Sequence, residues 1–416
     1  MKKVIIAGMI GNGLEWYDYA LYAYMTLIFS KLFFPEGKEA VHLLATLGIF
    51  AIGFVARPFG GLFFGWMGDK FGRKTSLVVS IFMMAIPTGC IGLLPTYARI
   101  GLAAPLLLIV LRLLQGLSLG GAFSGSITFL VEHAPYDKRG LIGSTTISSL
   151  CVGFLLGSII SILVKMPLSE IQYESWGWRI PFLMSIPIGF VGLYIRKHCE
   201  ESPVYATAKQ GGLLSKSPLR DVVKQESRHV AQAIGIYMTV TMPFYLIAYF
   251  ITFTEHSLGR TKGEAMTLNM INMLIMFVVS PFSAALSDRI GRRKVLGACA
   301  LLLLASVAPI FVLLQQPGIL CIGLAEAAFT LIVSLYFGPV PALLVEIFPT
   351  RVRSTGMALS YNISAAVFGG TTPVVCEWMM HATGNPYTIA WYAIACCLIS
   401  LTSLYFFKDR HKEELA

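Results

Sequence analysis

Apolar runs of about 20 residues follow one another along this chain, separated by short polar connections, and each is long enough to cross a bilayer core of about 30 Å as a helix. The pattern places twelve such runs at 5–30, 43–66, 75–95, 102–130, 141–165, 179–196, 231–254, 265–286, 295–315, 319–345, 354–380 and 386–407. Lipid offers no partner to backbone N–H and C=O groups, so these runs are expected to be helices. The longest polar stretch, 197–228, separates six runs from six, which predicts an N-terminal half at 1–196, a linker at 197–228 and a C-terminal half at 229–416.

The polar connections repeat. Gly65-Trp-Met-Gly68-Asp69-Lys70-Phe71-Gly72-Arg73-Lys74 lies between the second and third runs. Ser287-Asp288-Arg289-Ile290-Gly291-Arg292-Arg293 lies between the eighth and ninth, with its Asp 219 positions on (69 to 288). Glu132-His-Ala-Pro135 with Arg139-Gly140 is matched by Glu346-Ile-Phe-Pro349 with Arg353 and Gly356, 214 positions on (132 to 346). Both copies follow the fourth run of their half, as in a duplicated membrane bundle whose substrate site lies between the halves.

Composition agrees: 56% hydrophobic residues, 13% charged and a mean hydropathy of +0.72 exceed what a soluble core can hide. The net charge of +10 is a topology signal. If both termini face the cytoplasm, 23 of the 32 Lys and Arg fall on that side. Six lie in the opposite loops (Lys31, Lys38, Arg99, Lys165, Arg260 and Lys262), a strong positive-inside bias. Nucleic-acid binding is a poor account of such charge. The first run begins almost at Met1 without a small-residue cleavage site and reads as a retained helix. The eight cysteines are scattered without metal spacing, no cofactor is expected, and no Gly-x-x-x-x-Gly-Lys-Ser/Thr loop offers an ATP site. Seven dispersed histidines do not make an enzyme's cluster.

Ionisable groups inside spans are costly and each is a functional candidate. Glu15, Asp18 and Tyr22 share one stripe of the first helix, with Gly11 a turn before. Two carboxylates one turn apart do not both carry charge comfortably in a low-dielectric site, which suits a proton carrier. Arg112 in the fourth run is the candidate counter-charge, or a clamp for a substrate carboxylate, with Gln115 one turn on. Arg57 precedes Pro58 in the second run, and Glu326 lies well inside the tenth as a further proton or substrate candidate. Tyr245, Asn269, Asn272, Tyr336 and Asn362 are candidate neutral hydrogen-bonding groups in the C-terminal half. Tyr249 near Pro243 is another, and Glu377 falls near the outer surface. In the repeated loops, Asp69 with Gly72 and Arg73, and Asp288 with Arg292, are candidates for a cytoplasmic gate, together with Glu132, Arg139, Glu346 and Arg353. Ordinary positive-inside anchoring needs only Lys and Arg and leaves the aspartates and glycines unexplained.

The loop Gly-x-x-x-Asp-x-x-Gly-Arg-Lys resembles the signature of the major facilitator superfamily. Other segments resemble its metabolite:proton symporter branch, which includes proline/betaine, ketoglutarate, citrate and shikimate carriers. They are Gly11-Asn12-x-x-Glu15-Trp16-Tyr17-Asp18, Ala56-Arg57-Pro58-x-Gly60-Gly61, Arg112-x-x-Gln115-Gly116, Trp176-Gly-Trp-Arg179-Ile-Pro181-Phe182 and Phe348-Pro349-Thr-x-Val-Arg353-x-Thr355-Gly356, with Tyr361-Asn362 and Phe368-Gly369-Gly370-Thr-x-Pro373. The resemblance implies an all-α, twelve-helix membrane fold in two six-helix pseudo-repeats. It implies a monomer in the bacterial inner membrane that imports a small carboxylate-bearing metabolite with a proton. It also implies that the first-helix acid and Arg112 act as switch partners. The alternatives are an exporter or an uncoupled facilitator of the same fold and, remotely, a polytopic enzyme or receptor. Gly153-x-x-x-Gly157 lacks the Gly-Pro-x-x-Gly-Gly continuation of drug antiporters, which favours import. One departure stands out: where the branch carries Gly-Gly-Glu, this chain reads Gly120-Gly121-Ala122.

Overall fold

The computed structural model of the protein describes residues 2–34 and 39–415, so Lys38 lies outside the described residues. Each of the twelve apolar runs coincides with a helix or a composite of helices. Among the described residues, nine helical segments are long and apolar enough to cross a membrane by length and composition. The first and second spans, Lys2–Leu32 and Glu39–Phe71, are single long helices, the second containing Pro58. The eleventh is built from Arg353–Ser364, a π turn at Ala365–Gly369 and Thr372–Thr383. The seventh ends in a π turn at Phe253–Ser257. No strand occurs among the described residues. Between the sixth and seventh spans lie two short helices, Pro203–Gln210 and Pro218–Gln225.

The halves meet in a pseudo-symmetric manner: the second span packs on the eleventh and the fifth on the eighth. Both termini lie on the face that carries the repeated charged loops, hereafter the basic face. Within the N-terminal half, the second and fourth spans touch backbone to backbone. A Cβ on Gly60 would fall 1.9 Å from the Leu117 carbonyl oxygen, and one on Gly120 would fall 2.1 Å from that of Arg57. Glycine at these positions permits the approach, and the approach sets Arg57 beside the fourth span. A Cβ on Gly153 would likewise meet the Gly13 carbonyl at 2.2 Å, so the fifth span seats on the first.

Candidate functional site: a central aromatic cavity and a basic-face latch

Aromatic side chains from both halves line a narrow cavity of about 20 Å³ where the halves meet. Trp16 and Phe123 come from the first and fourth spans; Tyr237, Phe244, Tyr245 and Tyr361 come from the seventh and eleventh. Trp16 and Phe244 meet edge to face across the halves with centroids 5.5 Å apart. Phe123 stacks on Tyr361 at 4.9 Å.

Arg57 is the cation of this region. It is 3% exposed. Its Nη2 donates to the Tyr361 hydroxyl at 2.6 Å and its Nη1 to the Tyr245 hydroxyl at 3.3 Å, both from the opposite half. Its guanidinium also lies over the rings of Phe54 and Tyr361. Glu15 is fully buried and neither carboxylate oxygen makes a hydrogen bond among the described residues. It lies within electrostatic range of Arg57 and of Tyr237, Tyr245 and Tyr361. The Arg57 Nε and Trp16 Nε1 donors are likewise without a partner among the described residues.

Asp18 shares a helical stripe with Glu15 but enters a different network. Its Oδ2 accepts from Arg112 Nη1 at 2.7 Å, and its Oδ1 accepts from Gln115 Nε2 at 2.7 Å and from the Thr88 hydroxyl at 3.1 Å. Arg112 also donates to Gln115 Oε1 at 2.8 Å, and its guanidinium sits 3.6 Å from the Tyr22 ring centroid. This closed set lies within the N-terminal half. The Tyr22 hydroxyl also donates to the Thr46 carbonyl at 3.0 Å.

Several C-terminal candidates sit apart from the cavity. The Asn269 amide donates to the Ile247 carbonyl at 3.2 Å and the Tyr336 hydroxyl to that of Ile236 at 2.9 Å, both within their own half. Asn272 bonds Glu326. Asn362 reaches across the halves to the Gly120 carbonyl at 2.7 Å. Glu377, half exposed, accepts from the Tyr249 hydroxyl. Ala122 is buried in the fourth span.

On the basic face each repeated aspartate caps a helix of the other half. Asp69 accepts the N–H groups of Ser354 and Thr355 at 3.0 and 2.9 Å, at the start of the eleventh span. Asp288 accepts those of Gly140 and Leu141 at 2.8 and 2.9 Å, at the start of the fifth. A carboxylate at a helix N-terminus is stabilised by the orphan N–H groups and the helix dipole. Each aspartate also pairs with the arginine four residues on: Arg73 lies 2.7 Å from Asp69 and Arg292 lies 2.6 Å from Asp288.

The arginines continue the relay. Arg73 lies 3.2 Å from Glu132, which also receives Arg353 from the other half at 2.8 Å; Arg73 further donates to the Thr350 carbonyl at 3.0 Å. In the second copy Arg292 lies 3.2 Å from Glu346, but Arg139 donates to the Glu413 carbonyl at 2.7 Å. Among the described residues no ion pair joins Arg139 to Glu346. The C-terminal tail occupies the place that Glu132 fills for Arg353.

Two further carboxylates escaped sequence reasoning. Glu201 accepts the Lys74 N–H at 3.1 Å, and Asp409 accepts the Arg293 N–H at 2.9 Å. Each lies four residues beyond the last helix of its half (197 to 201, 405 to 409). That equal spacing was the available signal. Gly72 and Gly291 have φ of 109° and 107°, and a Cβ there would fall 2.1 and 2.7 Å from those carboxylates. Both the backbone and the space require glycine. Ser202 donates to Glu132 at 2.5 Å, and the Tyr205 ring lies 4.9 Å from the Arg73 guanidinium, so residues between the sixth and seventh spans join this charged cluster. The other side chains missed by sequence were Thr88, Trp16, Tyr237 and Tyr361. Trp16 and Tyr361 stood in motifs without an assigned role.

Comparison with known proteins is consistent along the length of the chain. A model described as "Sugar (and other) transporter" matches residues 3–237, and one described as "Major Facilitator Superfamily" matches residues 233–416. The glycine betaine/proline/ectoine/pipecolic acid transporter OusA of Dickeya dadantii is 33% identical over 100% of this chain and 85% of its own. The proline/betaine transporter of Escherichia coli K12 is 34% identical over 96% of this chain and 82% of its own. Among solved structures, the proton:xylose symporter XylE bound to 6-bromo-6-deoxy-D-glucose aligns with a TM-score of 0.79 at 16% identity, covering 99% of this chain and 97% of that one. The transporter FucP in its outward conformation aligns at 0.68 with 16% identity, covering 98% and 99%. The chain belongs to the major facilitator superfamily, in the branch that holds the proline/betaine transporters; it is a multi-pass membrane transporter and not an enzyme.

Proposed function

We propose that this member of the major facilitator superfamily imports a small carboxylate-bearing zwitterion together with a proton, by alternating access across a bacterial inner membrane, as a monomer. The observation that carries the reading is Arg57: a buried guanidinium at the junction of the halves, bonded among the described residues to the hydroxyls of Tyr245 and Tyr361, which line the aromatic cavity. A substrate carboxylate is a stronger partner for that fork than a phenol. Aromatic faces suit the cationic end of a betaine or proline, and the Glu15 carboxyl lies near Arg57 and its tyrosine partners, where the branch's fourth-span acid is replaced by Ala122. The names of the similar transporters, which include proline, betaine and ectoine, agree with this class.

Asp18 takes the proton and Arg112 answers it. Protonation removes the charge that holds Arg112 and Gln115 on the first span and so loosens the first span from the fourth. The basic face is cytoplasmic in this reading, as the positive-inside bias supports. Its latch ties the halves while the opposite side gives access, and residues 197–228 tether the halves. Binding and proton energy act by biasing the two arrangements.

The test is uptake by proteoliposomes of labelled proline, betaine, citrate, ketoglutarate and shikimate, with and without an inward proton gradient. Uphill accumulation of proline or betaine with the gradient alone is expected. Gradient-independent uptake would make the protein an uncoupled facilitator, and preference for citrate would move the substrate to organic acids.

A further inference from the structure

Glu326 lies in the tenth span, 2% exposed and outside the central cavity. Its Oε1 accepts from the Thr254 hydroxyl at 2.9 Å and its Oε2 from the Asn272 amide at 2.9 Å. Thr254 belongs to the π turn Phe253–Ser257 that ends the seventh span, and Asn272 belongs to the eighth. One carboxyl thus joins three spans. The turn it holds is irregular: the Leu258 N–H reaches back to the Phe253 carbonyl at 3.1 Å, and the Arg260 N–H reaches the Thr254 carbonyl at 3.1 Å. The same helix carries Tyr245 and Tyr249.

The charged groups around it are few. Glu255 and His256 follow Thr254 in the chain, Arg260 lies in the connection, and Glu264 opens the eighth span, folded back on the Thr261 N–H at 2.9 Å. The ninth span, which packs on the tenth, carries its basic residues 292–294 at the basic-face end. Among the described residues no ion pair reaches Glu326. A carboxylate in such a place is costly, and two neutral donors offset that only in part. With no cation at hand, a proton is the remaining compensation.

Protonation reverses one of these bonds. The ionised carboxyl accepts from Thr254, whereas the acid has an O–H to donate, and the Thr254 oxygen is the acceptor in reach. The threonine hydroxyl then turns to a backbone carbonyl of its own helix, as threonine does within helices. The proton comes from water and returns to it, and no other bond is made or broken. π turns recur at functional sites because their extra residue is easily redistributed.

We propose that Glu326 is a second proton-binding residue, in the C-terminal half, whose protonation sets the conformation of the end of the seventh span through Thr254. The proposal rests on the transporter reading but not on Asp18.

Infrared difference spectra of the purified protein between two pH values test it, together with uptake by proteoliposomes over a series of outside pH. The spectra are expected to show a carbonyl-stretch band of a buried carboxylic acid that is lost in Glu326→Gln and displaced in Thr254→Val. Glu326→Gln is expected to keep uphill uptake while its rate loses one protonation step in outside pH. Should Glu326→Gln fail to fold, Glu326→Asp is expected to keep the band at a displaced frequency with a displaced pH midpoint. A band set and pH profile unchanged from wild type in the folded variants would overturn the proposal. Asp18→Asn separates the two readings: uphill uptake surviving in it removes Asp18 as carrier and leaves the Glu326 band as an independent result.

Discussion

The carboxylate of Asp69 accepts the backbone N–H of Thr355 at 2.9 Å, so a residue of one half caps a helix of the other. Asp288 does the same in reverse at Gly140. Replacing Asp69 by Asn turns two charge-assisted hydrogen bonds, worth about 1.5–3 kcal/mol each, into neutral ones worth about 0.5–1.5 kcal/mol each. The balance between closed and open basic face is expected to shift roughly tenfold to a hundredfold toward open. Spin-label distances between the second and eleventh spans at the basic face measure it, and an unchanged distribution would sink the latch.

Arg57→Lys keeps the charge but loses the planar fork. It is expected to raise the KM for a carboxylate-bearing zwitterion by at least roughly tenfold, with stability little changed. Tyr361→Phe removes the 2.6 Å bond that now holds Arg57. A smaller change in KM, of roughly severalfold, is expected. Concentration-dependent uptake reads both.

Asp18→Asn leaves Gln115 and Thr88 with a neutral partner and Arg112 without its carboxylate. Uphill accumulation driven by a proton gradient is expected to disappear while exchange of labelled for unlabelled substrate continues. Loss of exchange as well, in a folded protein, would argue for a binding role instead.

Glu132→Gln leaves the buried guanidinium groups of Arg73 and Arg353 without the carboxylate they share. Breaking one side of a buried ion pair costs about 3–5 kcal/mol. A lower thermal unfolding temperature is expected, and restoring it by Arg353→Met in the same chain would identify the uncompensated charge as the cause.

Gly72→Ala forces a side chain onto φ 109° and against Glu201. Gly291→Ala meets Asp409 at a longer 2.7 Å. The first is expected to lower the unfolding temperature more than the second, as differential scanning fluorimetry on the detergent-solubilised protein would show.

The membrane fold was legible in the sequence because lipid leaves the backbone little choice: an apolar run of sufficient length becomes a helix. The duplication was legible because both copies of the charged loop had to keep an aspartate, a glycine and an arginine in register. Arg57, Asp18 and Arg112 were legible as ionisable groups in costly places. Arg112 was legible as partner of a first-helix acid, and the structure selects Asp18; the tyrosine partners of Arg57 were not legible. Glu15 and Asp18 are three residues apart on one stripe, yet Glu15 lies within electrostatic range of Arg57 without a hydrogen bond among the described residues, while Asp18 closes a network with Arg112, Gln115 and Thr88. Tyr22 and Tyr336 look like cavity residues in the chain, but their hydroxyls are bound to backbone carbonyls.

The sequence by itself thus determined the helices, their number, their repeat and the residues whose burial demands compensation, because each of these follows from local hydrophobicity and spacing. Only the tertiary structure decided which groups compensate which. Asp69 finds Thr355, Arg57 finds Tyr361, and Glu201 and Asp409 fill the space beside Gly72 and Gly291 through contacts between distant segments. Those contacts depend on which helix faces and loop ends the packing brings within about 3 Å, the reach of a hydrogen bond, and no periodicity along one chain encodes that distance.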